Sequence, residues 1–340
     1  MRGSNDHGTV GRATMVDVAN TAGVSLKTVS RVINGEPGVR PEMAEKVNAA
    51  ATALRYERND IAASLRHGAR SFTLGLVIED VANPFYSAIA QAVEERARER
   101  ANMLITASAR EDPARERELV IALLRRRVDA LLVVPTGADH RYIHDAGFDT
   151  RTVFLDRPPA RAKADTVLVE NAAGARRAVE HVLAHGHTRI AFVGDEVRLY
   201  TARERLGGYR KALARAGVAE DPALVAVGNS TSADAGHATA RLMALPRAQR
   251  PTAILTGNNR CTVGALHALS GKRGRTALVA FDDFELADLL GVTVIRTDPY
   301  RLGQLGAELA FERIDGNDGN PRRLVVAAEL VTRGSGEIPA

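Results

Sequence analysis

The chain has 340 residues, 45% hydrophobic and 26% charged, with a formal net charge of +5. That length gives room for two or three domains, and no apolar run is long enough to cross a bilayer. No secretory signal is visible, and the single Cys261 excludes an internal disulfide and fits a reducing, cytoplasmic compartment.

Residues 1–13 are Gly-rich and polar without apolar periodicity, and they read as a disordered leader. The next stretch, Met15-Val-Asp-Val-Ala-Asn-Thr-Ala-Gly-Val-Ser-Leu-Lys-Thr-Val-Ser-Arg-Val-Ile-Asn34, reads as two short helices joined by a tight turn. Val16, Ala19 and Val24 are expected to form one apolar face, packed against Val29, Val32 and Ile33. Gly23 stands where the first helix must end in a left-handed cap, and Ser25 stands at the N-cap of the second. Leu26, Lys27, Thr28, Ser30 and Arg31 remain exposed on the second helix, a largely polar and basic set suited to bases and phosphates. An ordinary helical hairpin would share the spacing, but here cap, glycine and apolar pattern agree.

Pro41 opens a third helix running through Val47 and Ala50 to Leu54, whose apolar positions close a small three-helix core. The segment from Tyr56 to Gly68 is helix-prone but too short to be stable alone, so its residues by themselves read as a linker. Residues 1–70 hold ten Lys and Arg against seven Asp and Glu, so +3 of the whole chain's +5 lies there. A bias this modest assists phosphate binding without making it indiscriminate.

From Phe72 onward, short apolar runs alternate with amphipathic helices. Strands are expected at 73–78, 103–107, 130–134 and 152–155, with helices near 84–100 and 113–126. The pattern resumes with strands at 189–193, 223–227, 252–255, 277–281 and 292–295. Apolar strands with helical crossovers imply parallel sheets covered on both faces, and two such series imply two similar subdomains with a cleft beyond the strand C-termini. A dinucleotide-binding enzyme would need a Gly-x-Gly-x-x-Gly turn after an early strand, and neither candidate strand has one. His181, His185 and His187 suggest a metal by proximity alone; Gly186 ending a helix, with histidines favouring its dipole, explains them better. No nucleophile–base pair is supported, so no catalytic residue, metal or cofactor is assigned.

The Asp-Val-Ala…Ala-Gly-Val-Ser…Thr-Val-Ser-Arg…Asn pattern from Asp17 to Asn34 closely resembles the head of the lactose-repressor (LacI/GalR) family, and the likeness extends over residues 13–335. The resemblance implies an α/β chain with a three-helix helix-turn-helix head (14–57), a hinge helix and linker (58–70) and a two-lobed core like type I periplasmic binding proteins (71–335). Its N-lobe would comprise about 71–169 and 297–321, and its C-lobe about 170–296 and 322–335, with crossings near Val169, Arg296 and Arg322. By the same resemblance, Thr14, Ser25, Leu26, Lys27, Thr28, Ser30, Arg31 and Asn34 contact operator DNA. Asn59, Ala62 and Leu65 lie on the hinge helix, whose leucine wedges into a minor-groove base step.

The family pattern also assigns the effector site. Phe85 and Tyr86, in Asn83-Pro-Phe-Tyr86, sit where aromatic contacts fall, although lobe packing or a dimer contact explains Tyr86 as readily and Phe85 less well. Asp156, Arg157, Thr201, Arg205, Asn259 and Asp282 complete the set, with Arg205 forking onto ligand oxygens and Asp282 accepting from hydroxyls. Three positions depart from the pattern: Asn258-Asn259-Arg260 replaces Asn-Asp, Ser230 replaces a lid aromatic, and Thr297 replaces a glutamine. These point to a smaller or differently charged ligand, or to weak binding.

The reading is a homodimeric, sequence-specific regulator of transcription, a repressor, that binds double-stranded DNA at a pseudopalindromic operator and is controlled by a sugar or sugar derivative. A purine- or nucleoside-type corepressor is the alternative within regulation. A sugar-binding protein without a DNA role would share the core but not the head. The resemblance implies that tetramers need an added C-terminal apolar heptad helix; residues 331–340 hold none, so a dimer is expected.

Overall fold

The computed structural model describes residues 13–33, 35–56, 70–137, 139–145, 150–271 and 276–340. It divides into two compact units, one ending at Ser71 and one running from Phe72 to Ala340. Asn34, Asn59, Ala62 and Leu65 lie outside the described residues.

The first unit holds α1 (Met15–Ala22), α2 (Leu26–Ile33) and α3 (Pro41–Ala53). Thr14 starts α1 through a reciprocal cap: Asp17 N–H donates to the Thr14 hydroxyl at 3.3 Å, and Thr14 N–H donates to the Asp17 carboxylate at 2.8 Å. Gly23 ends α1 at φ 66°, a left-handed conformation that costs glycine nothing. The Ser25 hydroxyl then accepts from Thr28 N–H at 3.2 Å and opens α2. Val18, Val29 and Val47 are fully buried where the three helices meet, with Ala19 and Ala50 beside them. Val16, expected in that core, is 52% exposed instead. It lies two residues before Val18, about 200° around the helix, so Val18 and Ala19 take the inner face and Val16 points outward.

The second unit is built on two sheets, each of six strands among the described residues. The first sheet contains β1 (Thr73–Ile78), β2 (Met103–Ser108), β3 (Ala130–Val133), β4 (Arg151–Asp156), β5 (Asp165–Val169) and β11 (Arg323–Val326). The second contains β6 (Ile190–Val193), β7 (Val225–Ala226), β8 (Ala253–Thr256), β9 (Ala277–Phe281), β10 (Thr293–Thr297) and β12 (Ala328–Val331). The strand orders, β11-β5-β4-β3-β1-β2 and β12-β10-β9-β8-β6-β7, match position for position. All neighbours are parallel except β10 and β12. The central strands β3, β8 and β9 are buried along their whole length, as parallel strands covered on both faces must be.

Helices cover these sheets: α4 (Pro84–Glu99), α5 (Pro113–Arg125), the short α6 (Tyr142–Asp145), α7 (Asn171–Ala184), α8 (Tyr200–Arg215), α9 (Ser232–Ala244), α10 (Asn259–Ala268) and α11 (Pro299–Ile314). The chain changes sheets after β5, after β10 and between β11 and β12. Because β11 pairs with β5, the third crossing falls at Ala327 and not near Arg322. The strand expected at 223–227 is instead a 3-10 turn, Pro222–Leu224, capped by Asp221, followed by the two-residue β7. The histidines near the end of α7 are all engaged. His187 is buried between the Thr252 hydroxyl at 2.9 Å and the Ile338 carbonyl at 2.7 Å, and His181 meets Glu337 at 2.5 Å.

Two adjacent glycines in α8 face different surroundings. A Cβ on Gly208 would lie 2.2 Å from the Ala172 carbonyl of α7, whereas one on Gly207 would meet nothing within 4 Å. Gly208→Ala is therefore expected to cost about 1–3 kcal/mol by forcing the helices apart. Gly207→Ala should be neutral or stabilise by up to about 1 kcal/mol through helix propensity. Urea unfolding of the two variants measures the difference.

Candidate functional site

A cavity of about 300 Å³ lies between the lobes at the C-terminal ends of the strands, at the small end of the range for ligand pockets. The turn from β1 into α4 lines it, as do the turn after β2, the end of β4, the loop from β6 into α8, the turn from β8 into α10, and the end of β9. Phe85, Tyr86, Asp156, Arg157, Thr201, Arg205, Asn259 and Asp282 all border this one space, as does Ser230.

Two aspartates occupy equivalent places in the two lobes. Asp156 ends β4 at φ 63° and Asp282 follows β9 at φ 67°, and these two strands hold the same rank in their sheets. A left-handed conformation at a residue other than glycine stores strain of order 1 kcal/mol, and such residues cluster at functional sites. At both strand ends this turn brings a carboxylate into the cleft.

The two carboxylates are matched differently. Asp282 accepts from Arg205 Nη1 and from the Thr297 hydroxyl, each at 3.1 Å. Arg205 also donates through Nε to Asn171 at 2.7 Å and through Nη1 to the Gly257 carbonyl at 2.6 Å, with its plane 3.8 Å from the centre of the Phe281 ring. It is buried and nearly saturated. Only Nη2, 3.5 Å from Asp282 Oδ1, keeps donor capacity, so Arg205 serves more to hold Asp282 than to fork onto a ligand. Asp156 Oδ2 accepts from the Tyr86 hydroxyl at 3.4 Å and lies 3.5 Å from Arg157 Nε. Its Oδ1 is buried with no hydrogen-bond partner. Burial pushes the Asp156 carboxyl above the usual carboxylate range, against the pull of Arg157 and Arg205.

Arg157 spends its guanidinium on Glu111, at 2.5 and 2.9 Å, and on the Tyr86 hydroxyl at 3.2 Å. Tyr86 and Phe85 are mostly packed away, edge to face with ring centres 5.1 Å apart, and burial raises the Tyr86 phenol so that it stays a donor. The Asn259 amide donates to Asn83 Oδ1 on the opposite lobe at 2.8 Å. Glu79, Glu111, Asp195, Arg198, Asn258 and Arg260 also line the space and were not among the expected residues. Glu79, Glu111, Asp195 and Asn258 stand within three residues of a strand end, so the rule that ligands bind beyond strand C-termini, applied to β1, β2, β6 and β8, would have found them. Burial also raises the Glu79 and Asp195 carboxyls.

In the first unit Leu26 and Lys27 are exposed, and Thr28 and Ser30 are half-buried. The hydroxyls of Thr14 and Ser25 serve the helix caps. The Arg31 guanidinium donates to the Pro37 carbonyl at 2.7 Å and lies 3.4 Å from Glu36, so it is anchored within the head. Among the described residues no group of three His, Cys, Asp or Glu is placed to hold a metal, and no helix is long and apolar enough to cross a membrane.

A capped helix-turn-helix joined in one chain to a two-lobed sheet core with a polar cleft defines a ligand-responsive DNA-binding regulator. Residues 14–59 match the model for bacterial regulatory proteins of the lacI family, and residues 179–336 match a periplasmic binding protein-like domain. The chain is 32% identical to the ribose operon repressor of Escherichia coli (strain K12), over 95% of this chain and 99% of that protein. It is 30% identical to the transcriptional repressor PurR of Mannheimia succiniciproducens, over 95% and 98%. The lac repressor dimer bound to operator and the anti-inducer ONPF superposes with a TM-score of 0.80 at 26% identity, over 96% and 99%. The chain belongs to the lacI family of bacterial regulatory proteins.

The raised carboxyl of Asp156 carries a consequence for stability. An acid with a raised folded pKa contributes stability that is complete below its unfolded value and is lost as pH rises through the folded one. Asp156→Asn is therefore expected to raise the Tm at about pH 7, and the gain should shrink toward zero near about pH 4, where the parent carboxyl is also protonated. Thermal unfolding across that range measures it.

Proposed function

We propose that the chain is a repressor whose grip on a pseudopalindromic operator is set by a small polyhydroxylated effector, a sugar or sugar derivative, held between the two core lobes. It acts in the cytoplasm as a homodimer, with head 14–57, hinge 58–70 and core 71–335. The observation that carries the reading is Asp156, which lines the cleft together with Asp282 of the other lobe and holds a buried oxygen, Oδ1, without a hydrogen-bond partner. A buried carboxylate oxygen without a donor is costly, and a ligand hydroxyl supplies the missing proton. Phe85 and Tyr86 offer an apolar edge, Thr201 and Asn259 add polar contacts, and Arg157 and Arg205 hold the carboxylates in place.

Similarity to a ribose repressor makes a pentose the first effector to test. Similarity to PurR keeps a purine as the second. On the DNA side Leu26 and Lys27 are the exposed readers, with Thr28, Ser30 and Arg31 beside them. Thr14, Ser25 and Asn34 complete the DNA contacts of the head, and Leu65, with Asn59 and Ala62, belongs to the minor-groove contact.

Thermal shift of the full chain with D-ribose, hypoxanthine and a panel of sugars tests the effector. A true ligand at a hundredfold excess over its Kd adds about 2.7 kcal/mol and raises the Tm by a few degrees. Silence across the panel defeats the sugar reading. Duplexes selected from a random pool should bind the parent chain specifically, and Lys27→Ala should lower the slope of log affinity against log salt by about one. An unchanged slope and base preference would remove Lys27 from the interface.

A further inference from the structure

Six carboxylates and five arginines line the cleft, and the four arginines other than Arg110 pair with acids in two ways. Glu79, Glu111 and Asp156 line the first lobe's wall, with Asp80 next to Glu79; Asp195, Glu196 and Asp282 line the second. Three of the lining arginines form their ion pairs within their own lobe: Arg157 with Glu111, Arg205 with Asp282, and Arg198 with Glu196. Arg260 differs. It stands in the first turn of α10 in the second lobe and reaches across the gap, with Nη1 2.9 Å from Glu79 and Nη2 2.9 Å from Asp80. Its neighbour Asn259 makes the parallel bond to Asn83, the residue that caps α4, at 2.8 Å. Arg198 Nη2 also crosses, but only to the Glu111 carbonyl and at 3.5 Å.

We infer that Arg260 is a positioning residue that latches the two lobes together across the cleft mouth in the absence of any ligand, with Asn259 as its second point of attachment. The inference rests on the reading of this cleft as the effector site.

Three features carry it. Glu79 is buried, so its charge is poorly screened, and Asp80 and Glu111 lie close enough to oppose its ionisation. The planar fork of Arg260 answers two carboxylates at once, a geometry lysine lacks. Without that cation the acids of the two walls face each other, and repulsion favours separation of the lobes. The latch has a functional consequence. An effector must enter a cleft already bridged by the protein's own side chains, so its apparent affinity includes the work of opening.

The test is hydrogen exchange of the full, ligand-free chain, read in peptides spanning 80–88 on one wall and 258–265 on the other. Arg260→Gln is expected to raise exchange in both peptides by about tenfold while the buried strand β3 stays protected. Moving from low to about 0.5 M KCl should raise exchange in the parent chain but not in the variant, because salt screens an ion pair that the variant lacks. Arg260→Lys should fall between the two. Faster exchange confined to 258–265 would mean that only the first turn of α10 had frayed, and no change in either peptide would mean that the pair is idle; either result overturns the latch. Glu79→Gln, which leaves the fork only Asp80 on the other wall, should raise exchange in both peptides by a smaller factor than Arg260→Gln, and parent-like exchange in that variant overturns it as well. No effector is needed, so a failed ligand screen and a failed latch remain separate results.

Discussion

The ion pair between Arg205 and Asp282 is the interaction around which the cleft is organised. Parallel strands that end together expose the residues after them to a shared space, and in this chain many of those residues are acidic. A buried carboxylate is tolerable only when donors surround it, and removing one partner of such a pair typically costs about 3–5 kcal/mol. Arg205 meets this demand from α8 by binding Asp282, Asn171 and the Gly257 carbonyl together, with the Phe281 ring beneath it. Three separate elements after β5, β8 and β9 are thereby held in one position. Arg157 does the same in the other lobe with Glu111 and Tyr86.

Within that frame one acceptor is left over. Asp156 Oδ1 is buried, raised in pKa and without a donor, while its counterpart Asp282 is fully engaged. The two lobes share a strand order and a strained aspartate at the same strand end, yet they differ in how that aspartate is satisfied. An incompletely satisfied site weakens the free protein slightly and rewards a ligand that brings hydroxyl donors. A ligand bonded to both walls then favours whichever arrangement of the lobes lets it keep both sets of bonds, which is the thermodynamic content of effector control.

The head was legible in the sequence because its signals are local. Gly23, Ser25 and Pro41 act within a few residues of where they stand, and each is found in its expected capping role or helix position, while the Thr14–Asp17 cap, equally local, was not read from the sequence. Val16 misled, since the chain offers Val16 and Val18 within one turn and only packing against α2 and α3 decides which is inside. In the core, β5 was missed because it begins at Asp165, an acid that reads as loop. Arg313 at the end of α11, 148 residues away in sequence, satisfies it at 2.6 and 2.9 Å. The edge strands β11 and β12 are short and partly exposed, and the single apolar run from Leu324 to Ala328 is divided between them, so it does not announce two strands in two sheets.

By itself the sequence determined the capped helix-turn-helix, the alternation of strands and helices, and the residue types beside the cleft. These follow from spacing along the chain and from the few residues that can cap, turn or end an element. The tertiary structure alone decided which arginine answers which carboxylate: why Arg205 is spent on Asp282, why Asp156 keeps a bare oxygen, and why Arg260 crosses to Glu79 and Asp80. Charge pairing depends on distances between elements far apart in the chain, and those distances exist only once both sheets have been brought face to face.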